Sequence, residues 1–208
     1  MRIRFNKEEA AGMTSQQKKK LYETLAQDAA ASGRSSIRSI LFGDEIWKFQ
    51  VSLRMLEYCD SLGGAEAFLR IPLRVRHRIR YHALSLKLGY TIPTHVFGGG
   101  LAIAHRGTIV VAKGTRAGRN CRIHEGVTIG ATNGEDGAAQ IGNNVFIGAG
   151  AKIIGEIEIA DDVAIGANAV VVRSINEPGT TWGGVPAKKI SDHSSHGNLS
   201  KQLLFSER

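Results

Sequence analysis

Long apolar runs are missing from this chain, and so are most of the residues that build conventional small cores. No stretch of the 208 residues approaches 18 consecutive apolar positions, so no transmembrane helix is expected. Residues 1–13, MRIRFNKEEAAGM, lack the apolar core of a secretory signal, and none is read there. Cysteine is scarce: Cys59 and Cys121 cannot make a disulfide framework, so a reduced, cytoplasmic protein is the expectation. Aromatic residues are only 6% of the chain while glycines number 25, which argues against an ordinary sandwich or helical core and for a backbone with many tight corners. Hydrophobic content, at 42%, is nevertheless that of a soluble globular protein long enough for one or two domains. Acidic residues are in deficit, and the net charge of +8 points either to anionic partners or to a solvated basic face. No zinc-finger, RNA-binding or helix-turn-helix signature accompanies that charge, so nucleic acid is not an expected partner.

What is present divides into two grammars. Residues 1–90 read as helical. The stretch 45–62 places Ile46, Phe49, Val51, Leu53, Leu56 and Cys59 at roughly helical spacing, and Gly63-Gly64 ends it. A further helix is read over 65–89, kinked or restarted by Pro72, and an earlier one near 14–31. Residues 91–191 follow a period of six. Ile141, Ile147, Ile153, Ile159, Ile165 and Val171 are all β-branched, and Val145, Ala151, Ile157, Val163 and Ala169 sit four positions after the first five. The frame extends upstream through Val111, Ala117, Ile123 and Ile129. Such a period is the mark of a parallel β-helix, with an inward aliphatic on each flat side and small residues at the corners. The fold class is therefore α+β, a helical segment followed by a parallel β-helix, with 192–208 as a mobile or weakly docked tail.

Three sides make a coil of eighteen residues. Gly130, Gly148, Gly166 and Gly184 recur at that interval, as do Ala131, Ala149 and Ala167. Stacked coils would align them in a strip almost free of side chains. That strip is either a bed for a long, thin ligand or simply the small residues that corners require. Between Ile129 and Ile141 the sequence GATNGEDGAAQ lacks inward aliphatics and reads as an extruded loop.

Histidines are the candidates for chemistry. His105 falls on the inward phase six residues before Val111, and is a satisfied core residue, a sign of frame slip, or a functional group. His124 follows Ile123, nineteen residues on, so the two rings could lie near each other. No metal site is expected, because a trimeric zinc enzyme of the γ-carbonic-anhydrase type needs a close histidine pair within the repeats, and the pair at that interval, His77 and His82, lies in the helical half. Arg70, Arg74, Arg76, Arg78 and Arg80 form a basic run there, read as a solvated face, a subunit contact, or a contact to phosphate or anionic lipid.

The segments LGYTIPTHVFGGGLAIAHRGTIVV, CRIHEGVTIG, IGNNVFIGAGAKIIGEIEIADDVAIGANAVV and TTWGGVPAKKIS together resemble serine O-acetyltransferases, most of all the short form found beside surface-polysaccharide genes. The resemblance is strong over about 88–191 and weak in the helical half. It implies a left-handed β-helix, a homotrimer with active sites between subunits, and acetyl-CoA as co-substrate with no permanently bound cofactor. Whether trimers pair is left open. By resemblance His105 is the catalytic base on an acceptor hydroxyl, and Ala131, Ala149 and Ala167, with Gly130, Gly148 and Gly166, lie where pantetheine runs. Lys188 or Lys189 is placed for a coenzyme A phosphate. The sequence departs from the family on the acceptor side. Ala104 replaces an aspartate before the histidine, Tyr90 replaces the aspartate fifteen residues earlier, and the loop is two residues shorter, with Gly137-Ala138 in place of an Arg-His pair. Tyr90 and His124 are the expected acceptor contacts. The resemblance favours L-serine as acceptor, but the missing charged groups would be needed to hold it, whereas a sugar hydroxyl of a surface polysaccharide does not require them, so both acceptors stay open. The rival reading is a non-catalytic hexapeptide-repeat scaffold.

Overall fold

A computed structural model describes residues 15–34, 44–132 and 137–200. Among the described residues four α-helices come first: α1 (Ser15–Ala31), α2 (Glu45–Asp60), α3 (Gly64–Leu69) and α4 (Ile71–Leu88). Asp44 caps α2, its carboxylate accepting from Ile46 N at 3.0 Å. Pro72 lies in the first turn of α4, where its missing N–H has no intrahelical partner to lose, so the chain restarts there and does not merely kink. Gly89, at φ 77°, closes α4 and admits the first strand.

α2 is the central helix. It is buried on several sides, which explains why its apolar residues overrun a single stripe. Ile46, Phe49 and Leu53 belong to the same apolar core as the coil residues, while Trp47, Met55, Tyr58 and Cys59 pack against Leu21, Leu25 and Ala29 of α1. Between these helices lies a buried ion pair. Arg54 Nε donates to Asp28 Oδ2 at 2.8 Å, and its Nη atoms reach Glu57 and the carbonyls of Phe97 and Gly98. Asp28 Oδ1 in turn accepts from Gly100 N and Leu101 N, both at 2.8 Å. The cluster ties two helices to the first coil.

His77 is buried within α4, and among the described residues neither ring nitrogen has a hydrogen-bond partner. Burial, reinforced by Arg76 and Arg80, pushes its pKa down to about 4. The unfolded chain, with a histidine pKa of about 6.5, takes up the proton first as pH falls. The stability this neutral ring contributes is thus whole above about pH 6.5 and is lost towards pH 4, by about 2–3 kcal/mol. Urea denaturation at pH 7 and pH 4.5 should show that loss in the wild type, with His77→Leu losing correspondingly less.

From Tyr90 the chain winds through short strands, β1 (Tyr90–Thr91), β2 (Ala102–Ile103), β3 (Ile109–Val111), β4 (Arg116–Ala117), β5 (Arg122–Ile123), β6 (Thr128–Gly130), β7 (Gln140–Ile141), β8 (Phe146–Ile147), β9 (Lys152–Ile154), β10 (Glu158–Ile159), β11 (Ala164–Ile165) and β12 (Val170–Val171). They stack into three parallel sheets, ordered β1-β3-β6-β9-β12, β10-β7-β4 and β11-β8-β5-β2. The last is extended by β13 (Thr181–Gly183) and an antiparallel β14 (Lys188–Ser191). Every aliphatic of the six-residue frame from Ile141 to Val171 is buried. One corner is held by a ladder of left-handed residues: Asn120 Nδ2 donates to Asn144 Oδ1 and Asn144 Nδ2 to Asp162 Oδ1, both at 2.9 Å.

Two insertions break the coil of eighteen. Ile103 pairs with Ile123, twenty residues on, but Val110 with Thr128, eighteen on, so two extra residues lie in the corner between β2 and β3. Ile123 then pairs with Ile147, twenty-four on, because the extruded loop adds six. The tail is better anchored than its composition implies. Ser195 is fully buried, His196 Nε2 lies 2.8 Å from Asp162 Oδ1, and Arg122 Nη1 donates to Asn198 O at 3.1 Å. Residues 201–208 lie outside the described ones.

Candidate active site

His105 is not an inward residue. Ile103 and Ile109 fill the core on either side, and the two-residue insertion lifts Ala104–Thr108 out as a longer corner. Of the three readings open in the sequence, the core residue is excluded and the frame is seen to slip, which leaves a functional role open. The His105 side chain is therefore exposed to solvent. Its main chain is held from beneath, where the Tyr90 hydroxyl donates to His105 O at 2.7 Å. That contact gives Tyr90 a structural task beneath the corner. At 3% exposure and with its hydroxyl donated to a backbone carbonyl, Tyr90 fixes the corner that carries His105. Burial drives the Tyr90 phenol well above its usual range, so it stays a donor.

The structure brings His105 and His124 together, their ring centroids 5.6 Å apart and nearly perpendicular. His124 also packs edge-on against Phe146, at 5.2 Å. Burial, followed by the nearby Arg122, lowers the His124 pKa, so its ring is neutral near pH 7. Glu125, which the spacing did not single out, completes the group: its Oε2 lies 3.8 Å from His124 Nδ1.

A column of small residues rises from this corner, though its membership differs from the count in eighteens. His124 N donates to Ile147 O, Gly148 N to Ile165 O, and Gly166 N to Trp182 O, so the column runs His124, Gly148, Gly166, Gly183. Gly184 bonds instead to Val170 N. Gly130 and Ala131 lie on a different side of the coil: Gly130 pairs with Ile154, because the six-residue insertion moves them by one whole side. Ala149 and Ala167 remain neighbours on stacked coils, and Ala167 is exposed. Gly148 itself has a purely structural reason. A Cβ there would meet Ala167 N at 2.7 Å, so stacking alone demands glycine.

The charged groups around the corner are largely spoken for. Arg106 pairs with Glu45 of α2, and Arg122 with the tail carbonyl of Asn198. Lys189, one of two phosphate candidates, is engaged by Glu177 and by Asp192 at 2.6 Å, whereas Lys188 is exposed and makes no ion pair among the described residues. Ala138 is buried and Gly137 lies over Glu156, so neither reaches towards His105. In the basic run, Arg74 pairs with Asp60 at 2.9 Å and Arg78 is exposed on α4. A cavity of about 470 Å³ opens elsewhere, between α1, α2 and the first coil, lined by Lys20, Tyr58, His95 and Arg116 among others. It touches neither His105 nor the glycine column.

Residues 138–173 match the repeat family described as bacterial transferase hexapeptide (six repeats). No protein of curated function matches the chain. Solved structures do. A serine acetyltransferase in complex with CoA is 26% identical, with 84% of this chain and 72% of that one covered and a TM-score of 0.64. The Neisseria gonorrhoeae serine acetyltransferase in complex with serine is 27% identical over 86% of this chain and 70% of its own, at a TM-score of 0.59. The soybean apoenzyme is 25% identical over 83% and 69%, at 0.65. The chain is an acyltransferase similar in its repeats and fold to the serine acetyltransferases. Its coil is the left-handed β-helix of that type, opposite in hand to ordinary parallel crossovers. The likeness spans both halves, so the helices belong to the acyltransferase architecture as much as the repeats do. Among the described residues no helix is long and apolar enough to cross a membrane.

Proposed function

We propose that this acyltransferase moves an acetyl group from acetyl-CoA to a hydroxyl, with His105 as the general base, and that an uncharged, sugar-type hydroxyl suits it better than L-serine. The observation that carries the reading is the placement of an exposed imidazole at the foot of the Gly148–Gly166 column. Pantetheine lying over Ala149 and Ala167 would deliver its thioester to that foot, with Lys188 as the cation left for a coenzyme A phosphate. His105 would take the proton from the acceptor oxygen as that oxygen attacks the acetyl carbonyl. The tetrahedral intermediate then collapses, the carbon–sulfur bond breaks, and coenzyme A leaves as the thiol after protonation. His124, neutral and beside His105, would hydrogen-bond the acceptor.

The acceptor preference rests on charge. A free amino acid brings a carboxylate that needs a guanidinium in fixed geometry. Arg106 and Arg122, the arginines around this corner, are already paired. A sugar hydroxyl makes no such demand. Trimers with the site completed between subunits would supply the remaining wall.

The test is a thiol-release assay with acetyl-CoA and a panel of L-serine and simple sugars. The expected result is a higher kcat/KM for at least one sugar than for L-serine, by about tenfold or more, the cost of leaving a carboxylate without its partner. Efficient acetylation of L-serine would overturn the preference. No transfer to any acceptor, together with no coenzyme binding, would leave the scaffold reading in its place.

A further inference from the structure

The corner that carries His105 holds a second kind of chemistry. One donor atom each from His105, His124 and Glu125 lies within 4.8 Å of the other two. The chain explains why they meet. β5 ends at Ile123, and His124 and Glu125 then turn the corner ahead of Gly126, which has φ 74°. Consecutive residues in a strand would point to opposite faces, but at a corner that alternation stops and both can serve one spot. The longer corner below brings the His105 ring alongside.

A separate observation points to a missing ligand. Glu125 Oε2, which faces His124 Nδ1, is shielded from water and has no hydrogen-bond partner among the described residues. Polar atoms left in that condition are uncommon and call for an occupant. We propose that His105, His124 and Glu125 form a binding site for a divalent transition-metal ion of the zinc class. Two imidazoles and one carboxylate are a set that zinc accepts when it keeps a fourth position open to water or a substrate. Magnesium and calcium, which prefer all-oxygen shells, fit this set poorly. Bonds of about 2.0–2.1 Å in a tetrahedron require donors about 3.3 Å apart. His124 Nδ1 and Glu125 Oε2, 3.8 Å apart, are close to that already, and the exposed His105 ring can rotate to close the rest. The nearby Arg122 opposes a cation, but its guanidinium is drawn off towards Asn198 O.

The site has a consequence that, unlike the site itself, rests on the proposed role of His105. An imidazole nitrogen bound to zinc has no lone pair for a proton. Zinc would therefore hold the base inactive, and its removal would restore it.

The experiment uses the full chain, stripped of metal and titrated with zinc chloride against a chromophoric chelator. His105→Ala, His124→Ala, Glu125→Gln and, as a control for other surface histidines, His196→Ala are compared, each checked for an unchanged melting temperature. One equivalent is expected per wild-type chain. Affinity should fall by about tenfold or more when any of the three ligands is replaced and stay constant in His196→Ala. Absence of stoichiometric binding, or binding unchanged in His124→Ala, overturns the site. In parallel, wild-type thiol release is followed as zinc is added and then chelated. Reversible loss of rate in step with occupancy is expected. Full occupancy with full rate would leave the metal site standing and remove His105 as the base.

Discussion

Replacing His105 by alanine is expected to lower kcat for acetyl transfer by about 10²–10⁴-fold, the usual contribution of a positioned general base. The fold should not notice. The side chain is exposed, and the bond that fixes its corner runs from Tyr90 to the main-chain oxygen, which alanine retains. Coenzyme A affinity should also persist, because the bed proposed over Ala149 and Ala167 lies on the coils above. The checks are steady-state thiol release, calorimetric titration with coenzyme A and a melting curve. A large fall in kcat with unchanged binding and melting temperature isolates a chemical role. Full activity in His105→Ala would remove the base from the mechanism.

The largest expected effect on stability belongs to Arg54→Ala. Arg54 is 3% exposed and Asp28 fully buried, and the pair is bidentate. Removing the guanidinium leaves a buried carboxylate without its counter-charge and the carbonyls of Phe97 and Gly98 without donors, which costs about 3–5 kcal/mol. For a chain of this size that is a fall of about 10 °C in melting temperature. A double variant, Arg54→Met with Asp28→Leu, should recover much of the loss, since two apolar groups leave no charge behind. Urea denaturation of the single and double variants measures both numbers. A loss under about 1 kcal/mol for Arg54→Ala would mean that apolar contacts alone hold helices to coil.

The parts that the sequence made legible are those governed by a local period. An aliphatic every six residues must face inward on any flat side, so Ile141 through Val171 could be placed in the core without coordinates. The helix breaks at Gly63-Gly64 and Pro72 were legible for the same kind of reason, since both act on their own backbone. What escaped were the consequences of insertion. A count in eighteens cannot detect an extra six, so Gly130 and Ala131 seemed to stack under Gly148 and Ala149 when they lie one side away. The two-residue insertion before β3 likewise made His105 look inward although it stands outside. Contacts between distant segments left no periodic trace at all. Arg54 meets Asp28 across 26 residues, and His196 meets Asp162 across 34. The pairing of His105 with His124 could be anticipated because it follows the coil, whereas Glu125 joined them only through the geometry of a corner.

The most direct measurement of the central claim is a crystal structure of the protein with coenzyme A bound. The account predicts pantetheine lying over Ala149 and Ala167, its sulfur at the foot of the Gly148–Gly166 column and facing His105, close enough for an acceptor oxygen to bridge them at about 3–3.5 Å from each. Coenzyme A bound elsewhere, such as in the cavity lined by Lys20 and Tyr58, or with its thiol turned away from His105, would contradict it.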